Sequence, residues 1–188
     1  MAHPKVTDEK LIGALSDVFR THGYEGATLS RISAATGLEK ASLYHRFPGG
    51  KDDMAAAVAA HLNQWFQDKV FTPLEKPGDP AGRIRFVAER LREFYGDGTK
   101  PCALNTLSLP GGSAALHEAL RGALTAWLQA FMGIARESGV PARESRKRAE
   151  QAIVEIQGSL VLARVLGDCK PFREAIGRLP ELLSGAGK

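Results

Sequence analysis

A chain of 188 residues, 44% apolar and 24% charged, is long enough to bury a core and has an ordinary globular mix, which excludes disorder and fibrous repeats. Lys and Arg outnumber Asp and Glu by 25 to 21, and the net charge of +4 permits nucleic-acid binding without requiring it, because clustering on one face is what counts. No apolar run approaches the roughly 20 residues of a membrane helix and the N-terminus lacks a signal-peptide core, so a cytoplasmic location is expected.

In chain order, Thr7 is placed to cap a first helix with Leu11, Ile12, Leu15, Val18 and Phe19 on one side and Asp8 and Glu9 at the positive end of its dipole; Gly23 supplies a stop. A short second helix opens at Thr28, turns Ile32 and Ala35 inward and ends at Gly37, and a third follows over about 39–46. The Pro48-Gly49-Gly50 break precedes a long Ala-rich helix over about 51–70, then a loop over 73–82 and an amphipathic helix over 83–96. A short apolar helix over 102–109 leads to two long helices, about 113–138 and 142–167, and a last short one over 171–183. Between Ile153 and Leu166 the apolar positions cover more than one stripe, so one face is expected to pack inward and another against a second copy, with Gly158 allowing close approach. With no alternating strand pattern anywhere, the fold class is all-α: an N-terminal three-helix bundle over 1–50 and a C-terminal helical domain over 51–188.

Two short helices joined by a tight glycine turn place the latter helix in a DNA major groove. Ser33, Gly37 and Leu43 have the spacing for a close helix crossing, and Ile32, Leu38 and Phe47 fill the small core around them. The hydroxyls of Thr28 and Ser30 suit a phosphate at the start of the second helix, where free amides and the dipole favour an anion. On the third helix Lys40, Ala41, Ser42, Tyr44, His45 and Arg46 are not needed for packing. Tyr44 and His45 suit phosphates, Lys40 and Ser42 base edges, and the Ala41 methyl a thymine methyl, while Lys51 beyond the Pro-Gly-Gly turn suits another phosphate. Arg20 and Arg31 read as solvated surface.

The run Thr28-Leu-Ser-Arg-Ile-Ser-Ala-Ala-Thr-Gly-Leu-Glu-Lys-Ala-Ser-Leu-Tyr-His-Arg-Phe47 resembles the DNA-binding signature of the TetR family, over roughly residues 7–56 and including the aromatic Tyr24. The family pattern usually has two residues between the Phe and the Lys, whereas three stand here, and the Phe-Pro-Gly-Gly-Lys turn is similar to that of the LmrA/YxaF-like branch. The resemblance implies an Ω-shaped homodimer, a palindromic operator, and a small molecule that binds the C-terminal domain and releases DNA.

For that ligand, Trp65, Phe66, Phe94, Trp127 and Phe131 are candidate walls of an apolar pocket between helices, with Asn105, His117 and Gln157 as polar anchors. Glu155 is the one acidic candidate for a cationic ligand, and the scarcity of others favours an apolar effector. Cys102, after Lys100 and Pro101 at a helix start, offers a rival thiol or redox trigger. Cys102 and Cys169 have neither zinc-ligand nor C-x-x-C spacing, so no metal and no cofactor is expected. The basic stretch 143–148 reads as a solvated helix face. The chain carries no phosphate loop, nucleophile elbow or zinc-protease motif, which argues against an enzyme. The other alternative, a helical adaptor without DNA binding, sits poorly with Lys40, Tyr44 and Lys51 in the reading head. The predicted function is a DNA-binding repressor, dimeric through residues 142–183, released from its operator by a small apolar effector.

Overall fold

Thr7 has extended backbone and its side chain accepts the Lys10 amide at 3.4 Å, which satisfies one of the free N–H groups of a starting helix. From that cap α1 (Asp8–Gly26) runs with Leu11, Leu15, Val18 and Phe19 buried. The computed structural model describes residues 7–184, and every regular element among them is helical. The helical pieces that follow are α2 (Leu29–Thr36), α3 (Lys40–Arg46), α4 (Lys51–Phe66), α5 (Thr72–Glu75), α6 (Pro80–Phe94), α7 (Ala103–Leu107), α8 (Ala114–Glu137), α9 (Ala142–Leu166), α10 (Lys170–Gly177) and α11 (Leu179–Leu183).

The described chain packs as two compact units. The first takes residues up to Asn63 together with 103–121, and the second takes 64–102 and 122 onward, so α4 and α8 each contribute to both. The unit that holds the helix-turn-helix is therefore larger than residues 1–50. Its core joins Leu11, Leu15 and Phe19 of α1 to Ile32 of α2, Leu43 of α3, Met54, Ala55 and Val58 of α4, Leu107 of α7 and Leu116 of α8. Helix α7 lies along α1, where the Thr106 hydroxyl donates to the Phe19 carbonyl at 3.3 Å. In the second unit Asp79 caps α6 through the Ala81 and Gly82 amides, with Pro80 in the first turn, and α6 buries Ile84, Val87 and Leu91. Helices α10 and α11 cover one side of α9.

Several local expectations are corrected. The break at Gly23 is present, with φ +65, but a further turn follows it to Gly26. On α2 it is Thr36 that is buried, its hydroxyl donating to the Ile32 carbonyl, whereas Ala35 is exposed. Gly37 is not needed for close crossing, since a side chain there would meet nothing within 4 Å; its left-handed φ of +69 is what requires glycine. The chain stays helical past residue 70: a π-type turn over Gln67–Phe71 leads into α5, which accepts Pro73 because the first turn of a helix does not use that N–H. The last predicted helix is two pieces that meet at Arg178. Arg20 is buried, not solvated. Within the basic stretch, Arg146 pairs with Glu150 at 2.8 Å on the surface, but Arg148 is half-buried and donates to the Leu182 and Ser184 carbonyls at the end of α11.

Candidate nucleic-acid interface

Helices α2 and α3 are short, and each owes its position to one fully buried side chain, Ile32 and Leu43 respectively. Thr28 is the N-cap of α2, accepting the Arg31 amide at 3.3 Å, which leaves its O–H free to donate; Ser30 in the first turn is exposed. The Ser33 hydroxyl donates to the Leu38 carbonyl and holds the turn between the helices. With Leu43 inward, Lys40, Ala41, Ser42, Tyr44, His45 and Arg46 all stand exposed on the remaining faces of α3. The structure thus brings Thr28, Ser30, Lys40, Ala41, Ser42, Tyr44 and His45 to the solvent side of one helix pair.

The Pro-Gly-Gly turn is built for what flanks it. The Gly50 amide donates to the Phe47 carbonyl at 2.8 Å and the Gly49 amide to Asp53 Oδ2 at 2.6 Å, so Asp53 closes the turn against the start of α4. Gly50 is buried at φ +65, and a Cβ there would stand 3.2 Å from the Tyr44 ring; glycine serves both needs. The third residue of this turn thus gives the Tyr44 ring a flat seat.

Lys51 is the site residue whose surroundings the sequence did not reveal. Its ammonium lies 4.2 Å from the centre of the Tyr24 ring and 3.8 Å from Glu25 Oε2, and its side chain is only 24% exposed. The Tyr24 hydroxyl donates to Asp52 Oδ1 at 2.7 Å. Burial first, then the hydrogen bond to Asp52 and its negative charge, push the Tyr24 phenol up from its ordinary 10 to about 12. Because the raised value favours the neutral ring in the folded state, its stabilising effect is complete below pH 10 and is lost as pH rises through about 12. An alkaline absorbance titration should therefore show a tyrosinate signal near pH 12 that Tyr24→Phe removes and Asp52→Asn moves down. A signal unchanged in Asp52→Asn would refute the pairing. Tyr24 and Glu25 were missed as partners of Lys51, and Asp52 as the partner of Tyr24, because these contacts form only when the end of α1 meets the start of α4.

In the second unit, five of the candidate ligand residues form one aromatic cluster. Trp65 and Phe94 have ring centres 4.3 Å apart, Phe66 stands 5.0 Å from Phe94 and 4.9 Å from Trp127, and Trp127 lies 5.8 Å from Phe131. Tyr95 and Phe172 extend it, at 4.9 Å from Phe94 to Tyr95 and 5.7 Å onward to Phe172. Gln157 and Cys102 join its edge: the Gln157 amide and the Tyr95 hydroxyl each donate to the Cys102 sulfur at 3.3 Å, and Gln157 Oε1 is buried with no partner. Cys102 is 6% exposed, so the thiol is covered by this cluster. Asn105 and His117 belong to the other unit, where the Asn105 carbonyl accepts from Ser108 and a His117 ring nitrogen lies 2.9 Å from the Ser113 carbonyl. Glu155 does not face the cluster's rings as an unpaired acid; Arg178 donates to it at 3.0 Å.

An exposed recognition helix on one all-helical unit, and an aromatic cluster inside a second, define a helix-turn-helix transcriptional regulator. Residues 11–58 match the model of the bacterial regulatory proteins of the tetR family, and residues 80–177 match that of the transcriptional regulator LmrA/YxaF-like C-terminal domain. The chain belongs to the TetR family, in its LmrA/YxaF-like branch. It is similar to the HTH-type transcriptional regulator LmrA of Bacillus subtilis, 28% identical over 93% of this chain and 95% of that protein. The uncharacterized HTH-type transcriptional regulator YxaF of the same organism is 22% identical, over 95% of this chain and 96% of its own. Among solved structures, a TetR transcriptional regulator from Legionella pneumophila superposes with a TM-score of 0.80 at 18% identity, covering 96% of this chain and 97% of that one. The protein is thus a transcriptional regulator of this family and not an enzyme. No helix among the described residues is long and apolar enough to cross a membrane.

Proposed function

We propose that this protein is a cytoplasmic repressor that binds a palindromic operator as a homodimer and leaves it when a small apolar effector enters the second unit. The observation that supports DNA readout best is the set of exposed side chains on α3 around an inward Leu43. Lys40 and Ser42 contact base edges and Ala41 a thymine methyl; Thr28, Ser30, Tyr44, His45 and Lys51 hold phosphates.

The dimer contact is assigned to the last long helices, over about 142–183. On α9 Val154, Val161, Leu162, Val165 and Leu166 are 36–73% exposed and, with Gly158, recur at helical spacing opposite the buried face of Ala152, Ile156 and Ala163. A Cβ at Gly158 would meet nothing within 4 Å in the single chain, which leaves room for a second backbone. Exposed apolar stripes of this size mark contact sites, and a two-fold contact uses one self-complementary patch.

The effector site is assigned to Trp65, Phe66, Phe94, Trp127 and Phe131, with Gln157 Oε1 as an acceptor awaiting a donor. Trp65 and Phe66 end α4, the helix that begins at Lys51, so displacing these rings shifts the same rigid element that carries a phosphate contact. The recognition helices of the two copies need a spacing of about 34–36 Å to enter successive major grooves, and a ligand that prefers another spacing releases DNA by its differential affinity.

The test is a selection of bound sequences from random duplexes with the full-length protein, followed by salt titration. A palindrome is expected. Lys51→Ala should weaken binding to every sequence and lower the salt slope by about 0.9 for each phosphate no longer neutralised, whereas Lys40→Ala should relax preference at particular base pairs. An enriched motif without two-fold symmetry would overturn the dimer reading, and an unchanged motif for Lys40→Ala would remove that residue from base readout.

A further inference from the structure

Helix α1 carries a carboxylate at each end, and each holds a cation of the reading head. At the first turn Asp8 Oδ1 accepts from Arg46 Nη1 at 2.9 Å; at the last, Glu25 Oε2 stands 3.8 Å from Lys51 Nζ. The two carboxylates are 95% and 73% exposed while Arg46 and Lys51 are 31% and 24% exposed, so the acid of each pair stands in solvent, where water competes for it and the pair is weak and exchangeable. Arg46 is the last residue of the recognition helix and directly follows Tyr44 and His45 on its exposed side. With Asp8, Leu11, Ile12, His45 and Phe47 it lines a cleft of about 420 Å³ where the start of α1 meets the end of α3. A guanidinium there has a planar fork that matches a phosphate in two parallel hydrogen bonds, and a DNA backbone presents many such anions in a strong field.

We propose that Arg46 is a phosphate-contacting residue and that Asp8 is its internal competitor, held by Arg46 in the free protein and displaced when DNA arrives; Glu25 plays the same part for Lys51. The inference rests on reading α3 as the recognition helix. Each of these two cations exchanges a carboxylate for a phosphate instead of meeting the phosphate unpaired. The net gain per phosphate is smaller, which keeps the protein from holding arbitrary DNA tightly while leaving base readout by Lys40 and Ser42 untouched. The carboxylates sit at opposite ends of α1, one before and one after its break at Gly23, so the device acts at two separate points of the reading head.

The experiment measures affinity of the full-length protein for a fluorescent duplex of random sequence between 50 and 200 mM salt. Asp8→Asn is expected to bind about two- to five-fold tighter with an unchanged salt slope, because the number of phosphates contacted stays the same. Arg46→Ala is expected to bind more weakly and to reduce the slope by about 0.9 per protomer. In the Arg46→Ala background, Asp8→Asn should give no gain. Asp17→Asn, the same charge change at another exposed position of α1, should give none either. Glu25→Gln should tighten binding in the wild-type background and lose that effect in Lys51→Ala. Thermal melts identify any variant that is unfolded at the assay temperature, in which case Asp8→Ser replaces Asp8→Asn. A gain from Asp8→Asn that persists without Arg46, an equal gain from Asp17→Asn, or an unchanged slope for Arg46→Ala overturns the proposal. Wild-type protein that binds no duplex at 50 mM salt instead overturns the reading of α3, so the two failures are distinguishable.

Discussion

Leu162→Glu combined with Val165→Glu is expected to make the protein monomeric at micromolar concentration and to weaken operator binding by about 10²–10⁴-fold, the usual gain from linking two sites. Both side chains are exposed in the single chain, 51% for Leu162 and 73% for Val165, so the substitutions remove little packing from the folded protomer. In a two-fold contact each substitution occurs twice and places four carboxylates in one apolar patch. Light scattering reads the mass, a melt reads the fold, and the selected operator reads the binding. A dimer of wild-type affinity in this variant would show that another surface makes the contact, and an intact melt would establish that the weakening is not unfolding.

The second large effect concerns Leu43, the fully buried side chain that seats the recognition helix. Leu43→Ala should cost the first unit about 2–5 kcal/mol, the range for truncating a buried leucine with the cavity left behind. Against a typical total of about 5–15 kcal/mol for a domain, this is enough to loosen or unfold the reading head. The residues of the aromatic cluster from Trp65 to Phe172 lie in the other packing unit, so their tryptophan fluorescence should keep its native transition while operator binding disappears. Simultaneous loss of both at the same denaturant concentration would mean that the two units melt as one. Leu43→Met, which keeps the volume, should retain most of the affinity. The contrast separates failed seating of the helix from removal of a DNA-touching group, because Leu43 itself is shielded from DNA.

Helix periodicity and punctuation made most of the architecture readable in the amino-acid sequence. Thr7 and Thr28 are side-chain caps that act within three residues of themselves, and the apolar spacing in α1, α6 and α9 is a property of each helix alone; the cap at Asp79, inside the predicted loop, was not read. The recognition run was legible for the same reason: α2 and α3 follow one another closely, and local spacing decides which of their side chains face outward. Where expectation failed, a hydrogen bond or a distant partner had intervened. Ala35 and Thr36 exchange places because the Thr36 hydroxyl satisfies the Ile32 carbonyl, which a pattern of apolar letters does not weigh. Helix continued through Pro73 because the proline falls in the first turn of α5, where its missing N–H is not used.

What the residues determined alone was the longer helices, the outward face of α3 and the family. Each depends on neighbours three or four positions apart or on a contiguous motif. Only the tertiary structure decided the company those side chains keep. Lys51 leans on Tyr24 and Glu25, Arg46 is held by Asp8 from 38 positions away, and Cys102 is roofed by Tyr95 and Gln157 instead of standing open at a helix start. Charge and reactivity are set by what lies within a few ångströms, and those neighbours come from helices far apart in the chain.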